Sequence, residues 1–154
     1  VMSWPLTRPF SEAELYKKQL DDAIANHKSS FKPIFAMMRH AAVYTNDSDK
    51  QKALNSIRTV LGQFENLFKN LGEVENGFTK QIPLNELEGR EQYDPDMLTK
   101  NLLFGTPEQI IEKLKLYQNL GVDEFIYYAS MGLGHKEQKK SLKLFIEEVM
   151  PEFA

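Results

Sequence analysis

The sequence has 154 residues, of which 42% are hydrophobic and 27% charged, a balance that excludes a disordered segment, a collagen-like chain and a coiled-coil rod. Its net charge of −3, without a basic cluster, argues against nucleic-acid binding, and no apolar run approaches the roughly 18 residues of a membrane helix. Cysteine is absent, which excludes disulfides, thiolate nucleophiles and cysteine-based metal sites. These features predict one soluble domain, compatible with a reducing cytoplasm.

The first third of the chain predicts a strand end, a helix and a buried strand. Residues 1–6 are typical of the end of a buried strand, so we expect further sequence upstream. A helix is predicted to begin with a capping box of Ser11 and Glu14 and to end at about Lys28. Residues 33–44 are apolar on both alternating faces, as in a parallel sheet that is covered on both sides.

The middle of the chain combines a long helix with an irregular stretch. Residues 46–49 form a helix cap, and apolar side chains at helical spacing continue to about Asn70. The periodicity is lost between Gly72 and Pro95, where glycine and proline recur. We interpret this stretch as an insertion or a mobile flap, followed by a short helix over residues 94–100.

The clearest helix start lies at residues 105–109, Gly-Thr-Pro-Glu-Gln. Thr106 is the predicted N-cap, Pro107 the first helical residue and Gln109 the partner in a capping box. Gly121 is predicted to end this helix at its C′ position.

A strand over residues 122–129, a turn over 130–134 and an amphipathic helix over 135–150 complete the prediction. Strands that alternate with helices indicate an α/β fold with a parallel sheet. Three strands with helices on one side only leave an open edge and a bare inner face. The predicted fold is therefore part of a β/α barrel, in which the missing strands would cover both.

Four segments carry a resemblance to a known family. Together, in this order, they resemble the bacterial-luciferase-like, flavin-dependent monooxygenases: residues 43–47 (VYTND), 103–114 (LFGTPEQIIEKL), 121–125 (GVDEF) and 141–151 (SLKLFIEEVMP). The resemblance spans nearly the whole chain and is weakest from Gly72 to Asp94.

This resemblance implies that residues 1–154 form the C-terminal part of a (β/α)8 TIM barrel: the end of strand six, strands seven and eight and their helices, with an irregular insertion at about 72–95. It implies an oxidoreductase that uses reduced FMN, or a deazaflavin, and dioxygen on a small organic substrate. Family members place the flavin phosphate and the oxygen chemistry mostly in other strands. We therefore expect no catalytic residue in this fragment, no flavin bound to it alone, and the missing N-terminal half of the barrel or a second copy as its partner.

Active sites of β/α barrels lie at the carboxyl ends of the strands. On this basis we predict cofactor-binding residues Ser3, Trp4, Met131 and Gly132, and substrate-pocket residues Tyr44, Tyr128 and Ser130. The alternatives are that Trp4 plugs the barrel mouth and that residues 130–134 form a plain strand–helix turn.

Arg39 and His40 lie in mid-strand and must point to opposite faces of the sheet. We expect the inner one to pair with a carboxylate or a carbonyl group and to have a structural role. The three histidines are scattered without metal-ligand spacing, and no nucleophile elbow or Walker loop is present. The alternative function is that of a non-enzymatic half-barrel that self-associates or docks on a partner.

Overall fold

The computed structural model describes residues 1–27, 30–70, 74–79, 84–87, 89–129 and 132–153. In chain order its strands and α-helices are β1 Met2–Ser3, α1 Phe10–His27, β2 Ala36–Val43, α2 Asp47–Asn70, β3 Val74–Glu75, β4 Phe78–Thr79, α3 Pro95–Asn101, β5 Leu103–Gly105, α4 Pro107–Leu120, β6 Glu124–Ala129 and α5 His135–Leu144. Short 3₁₀ turns occupy Leu84–Leu87 and Glu91–Tyr93. Within this part of the chain, no helix combines the length and the hydropathy that crossing a bilayer requires.

Strand β2 is the centre of a parallel sheet. Along one edge it pairs first with β1, at Ala36 and Met37, and later with β5, at residues 41–43. Along the other edge it pairs with β6 over residues 36–41. The predicted α/β fold with a parallel sheet is confirmed, and residues 38–40 of β2 have a ladder partner on the β6 edge only, as far as the described residues extend.

One face of the sheet carries the odd-numbered residues of β2 from Phe35 to Val43, and we call it the Arg39 face. Helices α1 and α4 cover its amino end, where Ala13 and Tyr117 contact Phe35 and Met37. Helices α4 and α5 cover its carboxyl end with Ile110, Leu114 and Phe145. Burial of these apolar side chains is the main stabilising term of this layer.

The opposite face carries Ala36, Met38, His40 and Ala42, and we call it the His40 face. At its carboxyl end Ala42 and Tyr44 are buried against helices α2 and α3, through side chains that include Leu54 and Leu98. The expectation of helices on one side only was therefore wrong. The apolar positions in the first turns of α2 bring that helix over the face that we expected to be bare.

Helix α4 begins and ends as its sequence predicts. The Thr106 side chain accepts from the Gln109 N–H, and the Gln109 side chain accepts from the Thr106 N–H, which is a complete capping box. Pro107 occupies the first helical position. Gly121 ends the helix with φ +87°, a left-handed conformation in which a Cβ would be strained.

Three boundaries differ from the prediction. Strand β1 has two residues, and Met2 is 63% exposed rather than buried. Strand β5 was not predicted, because three residues between two helices give no measurable periodicity. The last helix changes at Leu144 to a π-helical turn over Phe145–Val149, which places Phe145 and Val149 in the core.

Candidate functional site

Three aromatic rings meet on the His40 face, close to the carboxyl ends of β1 and β6. The ring centroids of His40 and Tyr128 are 4.8 Å apart, and that of Trp4 lies 5.6 Å from His40 and 5.5 Å from Tyr128. His40 and Tyr128 are register partners on β2 and β6, and Trp4 follows β1 directly. We call these three residues the aromatic cluster. Trp4 and Tyr128, two residues predicted for the site, are thus brought together.

His40 is the buried member of the aromatic cluster. It is 2% exposed, and its Nδ1 atom has no hydrogen-bond partner among the described residues. Burial, together with the positive charge of Arg39, lowers the pKa of His40 to about 4. The imidazole is therefore neutral at pH 7, and the burial of an unpaired polar nitrogen costs stability.

Arg39, on the other face, is also buried, but its side-chain nitrogens have hydrogen-bond partners. It is completely buried, and Nε donates to the Tyr117 hydroxyl at 2.8 Å. Its two terminal nitrogens donate to the carbonyl groups of Leu6, Arg8 and Pro9 at 2.8–3.4 Å. The guanidinium thus fixes the segment that follows Trp4, so Arg39 helps to position the indole against His40.

The sequence predicted that the inner of these two residues pairs with a carboxylate or a carbonyl group. In the structure Arg39, on the face covered by α1 and α4, is the residue that pairs with carbonyl groups. His40, on the other face, tolerates burial without a partner because its imidazole is neutral. The signal that could have identified it is a histidine within an apolar strand, directly opposite an aromatic residue near the end of the neighbouring strand.

Tyr44, predicted for the substrate pocket, lies one residue beyond β2 and is 6% exposed. It packs in the core beneath α2, with Ala53, Leu54 and Ile57 as neighbours. Burial, with a smaller effect of Asp47, raises the pKa of the Tyr44 hydroxyl to about 12. The hydroxyl therefore stays protonated at neutral pH.

Gly132, predicted for cofactor binding, packs tightly against α2. A Cβ atom at this position would lie 2.8 Å from Cγ2 of Val60 and 2.9 Å from the Ser56 carbonyl oxygen. The residue also has φ +79°. Glycine here permits close contact between the turn after β6 and α2, the helix that covers Tyr44.

The remaining predicted site residues are not in the aromatic cluster. Ser3 pairs in register with Met37, so its side chain points to the Arg39 face. Ser130 and Met131 lie outside the described residues.

A separate apolar groove of about 580 Å³ lies on the Arg39 face, between α4 and the end of the chain. Its exposed walls are Leu142, Ile146 and Met150, which are 41–51% accessible to solvent. Its lining is mostly hydrophobic and also includes Gln118 and Asp123. The groove is therefore suited to a protein segment rather than to a charged small molecule.

The aromatic cluster has features that fit a planar heteroaromatic ring such as a flavin. Trp4 is 37% exposed and Tyr128 is half-buried, so the cluster has an accessible side. The unpaired Nδ1 of His40 adds one hydrogen-bonding position. The three rings supply no cation for a phosphate group, and the described residues contain no group of three histidine or carboxylate side chains suited to a metal ion.

Comparison with known proteins gives one curated relative. The chain is 28% identical over 150 residues to the oxygenase component of a flavin-dependent trigonelline monooxygenase from Acinetobacter baylyi. The alignment covers 97% of this chain and 42% of the relative, so the chain spans less than half of the relative's length. This similarity supports a relationship to the flavin-dependent monooxygenases. No protein-family model and no solved structure matches the chain.

Proposed function

We propose that this chain is the C-terminal part of the oxygenase component of a flavin-dependent monooxygenase with a luciferase-like (β/α)8 barrel. The single observation that carries the proposal is the relative's similarity, which extends over 97% of the chain. The aromatic cluster, at the carboxyl end of a parallel sheet, supports a ligand site in the place where barrels have one. In this proposal residues 1–154 contribute strands six to eight, with the insertion at about 72–95.

The roles of the side chains follow from their places. Trp4 and Tyr128 form an aromatic wall for a flavin or substrate ring, and α2, closed over Tyr44 and Gly132, excludes water from the carboxyl end of the sheet. Ser3, Ser130 and Met131 remain predicted contacts. When bound, reduced FMN would supply the two electrons with which one atom of dioxygen enters the substrate and the other leaves as water.

The implied partners are a flavin reductase, dioxygen and a small organic substrate. The cytoplasm provides the reduced nicotinamide that such a reductase consumes. A compound of the type named for the relative, a nitrogen heterocycle, is the first substrate to test.

The test combines the intact gene product with a flavin reductase, NADH, FMN and trigonelline, and follows the substrate by mass spectrometry under ¹⁸O₂. Incorporation of one ¹⁸O atom into an organic product, dependent on protein and reductase, supports the proposal. Coloured FMN complexes without any oxygen incorporation across nitrogen heterocycles, aldehydes and sulfonates would contradict it.

The second candidate function is docking without catalysis, and the groove on the Arg39 face favours it. Ile146, at 50% exposure, and Met150, at 51%, leave apolar surface that a second copy or the remaining part of a longer chain would cover. Sedimentation of the 154-residue chain distinguishes the two states. A compact monomer contradicts self-association, and a dimer that Ile146→Lys dissociates supports it.

A further inference from the structure

Two buried polar atoms of the described residues lack a hydrogen-bond partner, Nδ1 of His40 and Nε of Arg58, and His40 is the more deeply buried of the two residues. The other buried polar residues have partners: Arg39 has four acceptors, and the Ser141 hydroxyl bonds to both the Val43 N–H and the Tyr127 hydroxyl. Nδ1 of His40 is shielded from solvent and has no partner within the described residues. An unpaired buried nitrogen lowers the stability of the fold, a cost that a phenylalanine in the same place would avoid.

We propose that Nδ1 of His40 is a hydrogen-bonding contact for an electron-poor planar heteroaromatic ligand that enters between Trp4 and Tyr128. The proposal deepens the function proposed above and rests on it for the identity of the ligand. It assigns to His40 a binding role that the sequence did not suggest.

The chemistry of the neighbouring rings selects this ligand class. The faces of indole and phenol carry negative charge density, so they attract cationic or electron-deficient rings at stacking distance. Trp4 and Tyr128 meet almost edge to face, at an interplanar angle of 77°, and both contact the imidazole. Two sources share the required chemistry: the isoalloxazine ring of a flavin and the pyridinium ring of a substrate.

Access to Nδ1 requires that one of the covering rings moves, and Trp4 has the room to do so. It is 37% exposed and follows a two-residue strand, whereas Tyr128 lies within the six-residue strand β6. The segment beyond Trp4 is held by Arg39 through the carbonyl groups of Leu6 and Arg8. Rotation of the indole about its own side-chain bonds therefore opens the contact without displacing the backbone.

The experiment titrates the intact gene product with N-methylnicotinate and, separately, with FMN, at concentrations up to the millimolar range. It follows tryptophan fluorescence, to which Trp4 is the single contributor within residues 1–154. We expect saturable quenching or a spectral shift with at least one of the two probes. A response to N-methylnicotinate alone identifies the substrate as the source of the ring, and a response to FMN alone identifies the flavin.

Two substitutions test how much Nδ1 of His40 contributes to ligand binding. His40→Phe keeps an aromatic ring but removes the hydrogen-bonding atom, and we expect about tenfold weaker binding of the probe. His40→Asn places an amide near the position of Nδ1, and we expect it to recover most of the affinity. His135→Phe, at an exposed histidine that begins α5, is the matched control and is expected to bind as the wild type does.

The outcomes separate this inference from the proposed function. Wild-type affinity in a folded His40→Phe variant, or no fluorescence response to either probe, overturns the role of His40 even if the intact enzyme incorporates oxygen. Loss of binding in His40→Phe with recovery in His40→Asn supports the role, even if no oxygen incorporation is detected and the oxygenase proposal fails. The near-ultraviolet circular dichroism of each variant verifies that it is folded.

Discussion

Two consecutive residues on opposite faces of the central strand β2, Arg39 and His40, differ in the hydrogen bonding of their buried polar atoms. Arg39 is buried with four hydrogen-bond acceptors, which consist of one tyrosine hydroxyl and three carbonyl groups. His40 is buried among aromatic rings, with a nitrogen that no described group satisfies. The first arrangement stabilises the fold, whereas the second lowers its stability. This difference indicates that one face of β2 is optimised for folding and the other for contact with something outside the chain.

The largest effect is expected on the Arg39 face. Arg39→Met leaves the Tyr117 hydroxyl and three partly buried carbonyl groups without their donor, so we expect a loss of about 4 kcal/mol in the free energy of unfolding, measured with urea. Arg8→Met is the control, because its ion pair with Glu12 is exposed and worth less than about 0.5 kcal/mol. Equal losses in the two variants would contradict the contrast between the faces.

The next effect is a pH dependence that originates at His40. Its pKa is about 4 in the folded protein and 6.5 in the unfolded chain, so between these values the unfolded state binds the proton first. Stability is therefore complete above pH 6.5, falls as the pH decreases, and loses about 3 kcal/mol from this source by pH 4.

The measurement compares wild type with His40→Phe in urea at pH 7 and at pH 4. We expect the wild type to lose more stability than the variant, because only the wild type carries the titrating imidazole. The fluorescence of Trp4, which contacts the imidazole at 5.6 Å, provides a second readout of the same protonation. An equal loss of unfolding free energy between pH 7 and pH 4 in the two proteins would show that protonation of His40 does not lower the stability.

An effect of similar size tests the contact between α2 and the turn after β6. Gly132→Ala adds a methyl group 2.8 Å from Val60 at a positive φ of +79°, and we expect a loss of about 3 kcal/mol. Gly77→Ala has a similar φ, +82°, but nothing within 4 Å, so it should lose only about 1 kcal/mol from backbone strain. Equal losses of unfolding free energy in the two variants would show that position 132 requires glycine for its backbone conformation and not for the contact with α2.

The smallest effect lies at the start of α4, far from the aromatic cluster. Thr106→Ala removes the side chain that caps the helix, and we expect a loss of about 1 kcal/mol with unchanged Trp4 fluorescence. Thr59→Ala is the control, because its hydroxyl bonds to the Asn55 carbonyl within α2, where it is not a cap. A changed tryptophan spectrum in Thr106→Ala would mean that the two faces are coupled.

Much of the fold was predictable because its determinants are local. The capping box at Thr106, the C-terminal Gly121 and the doubly apolar pattern of β2 each fix one element through residues that are close in sequence. The side of the sheet on which α2 packs was not predictable. It depends on Ala42 and Tyr44 meeting Leu54 and Leu98, which are contacts between distant segments.

The site was predictable in part for the same reason. Trp4 and Tyr128 were identified by their places at strand ends, and the parallel register then determines that they meet. A structural role was expected for the inner residue of Arg39 and His40, and nothing local distinguishes an unsatisfied histidine from one with a partner. Only the packed structure shows that its Nδ1 lacks a partner among the described groups.

The interruption in the hydrogen bonding of β2 has a consequence for the energetics of ligand entry. Strand β1 ends its ladder at Met37 and β5 begins at Ala41, so the stretch beside His40 is flanked by β6 alone within the described residues. A ring that wedges in beside the imidazole on that edge would break no interstrand hydrogen bonds. Entry of a ligand there would require the displacement of one indole ring, and the sheet would remain intact.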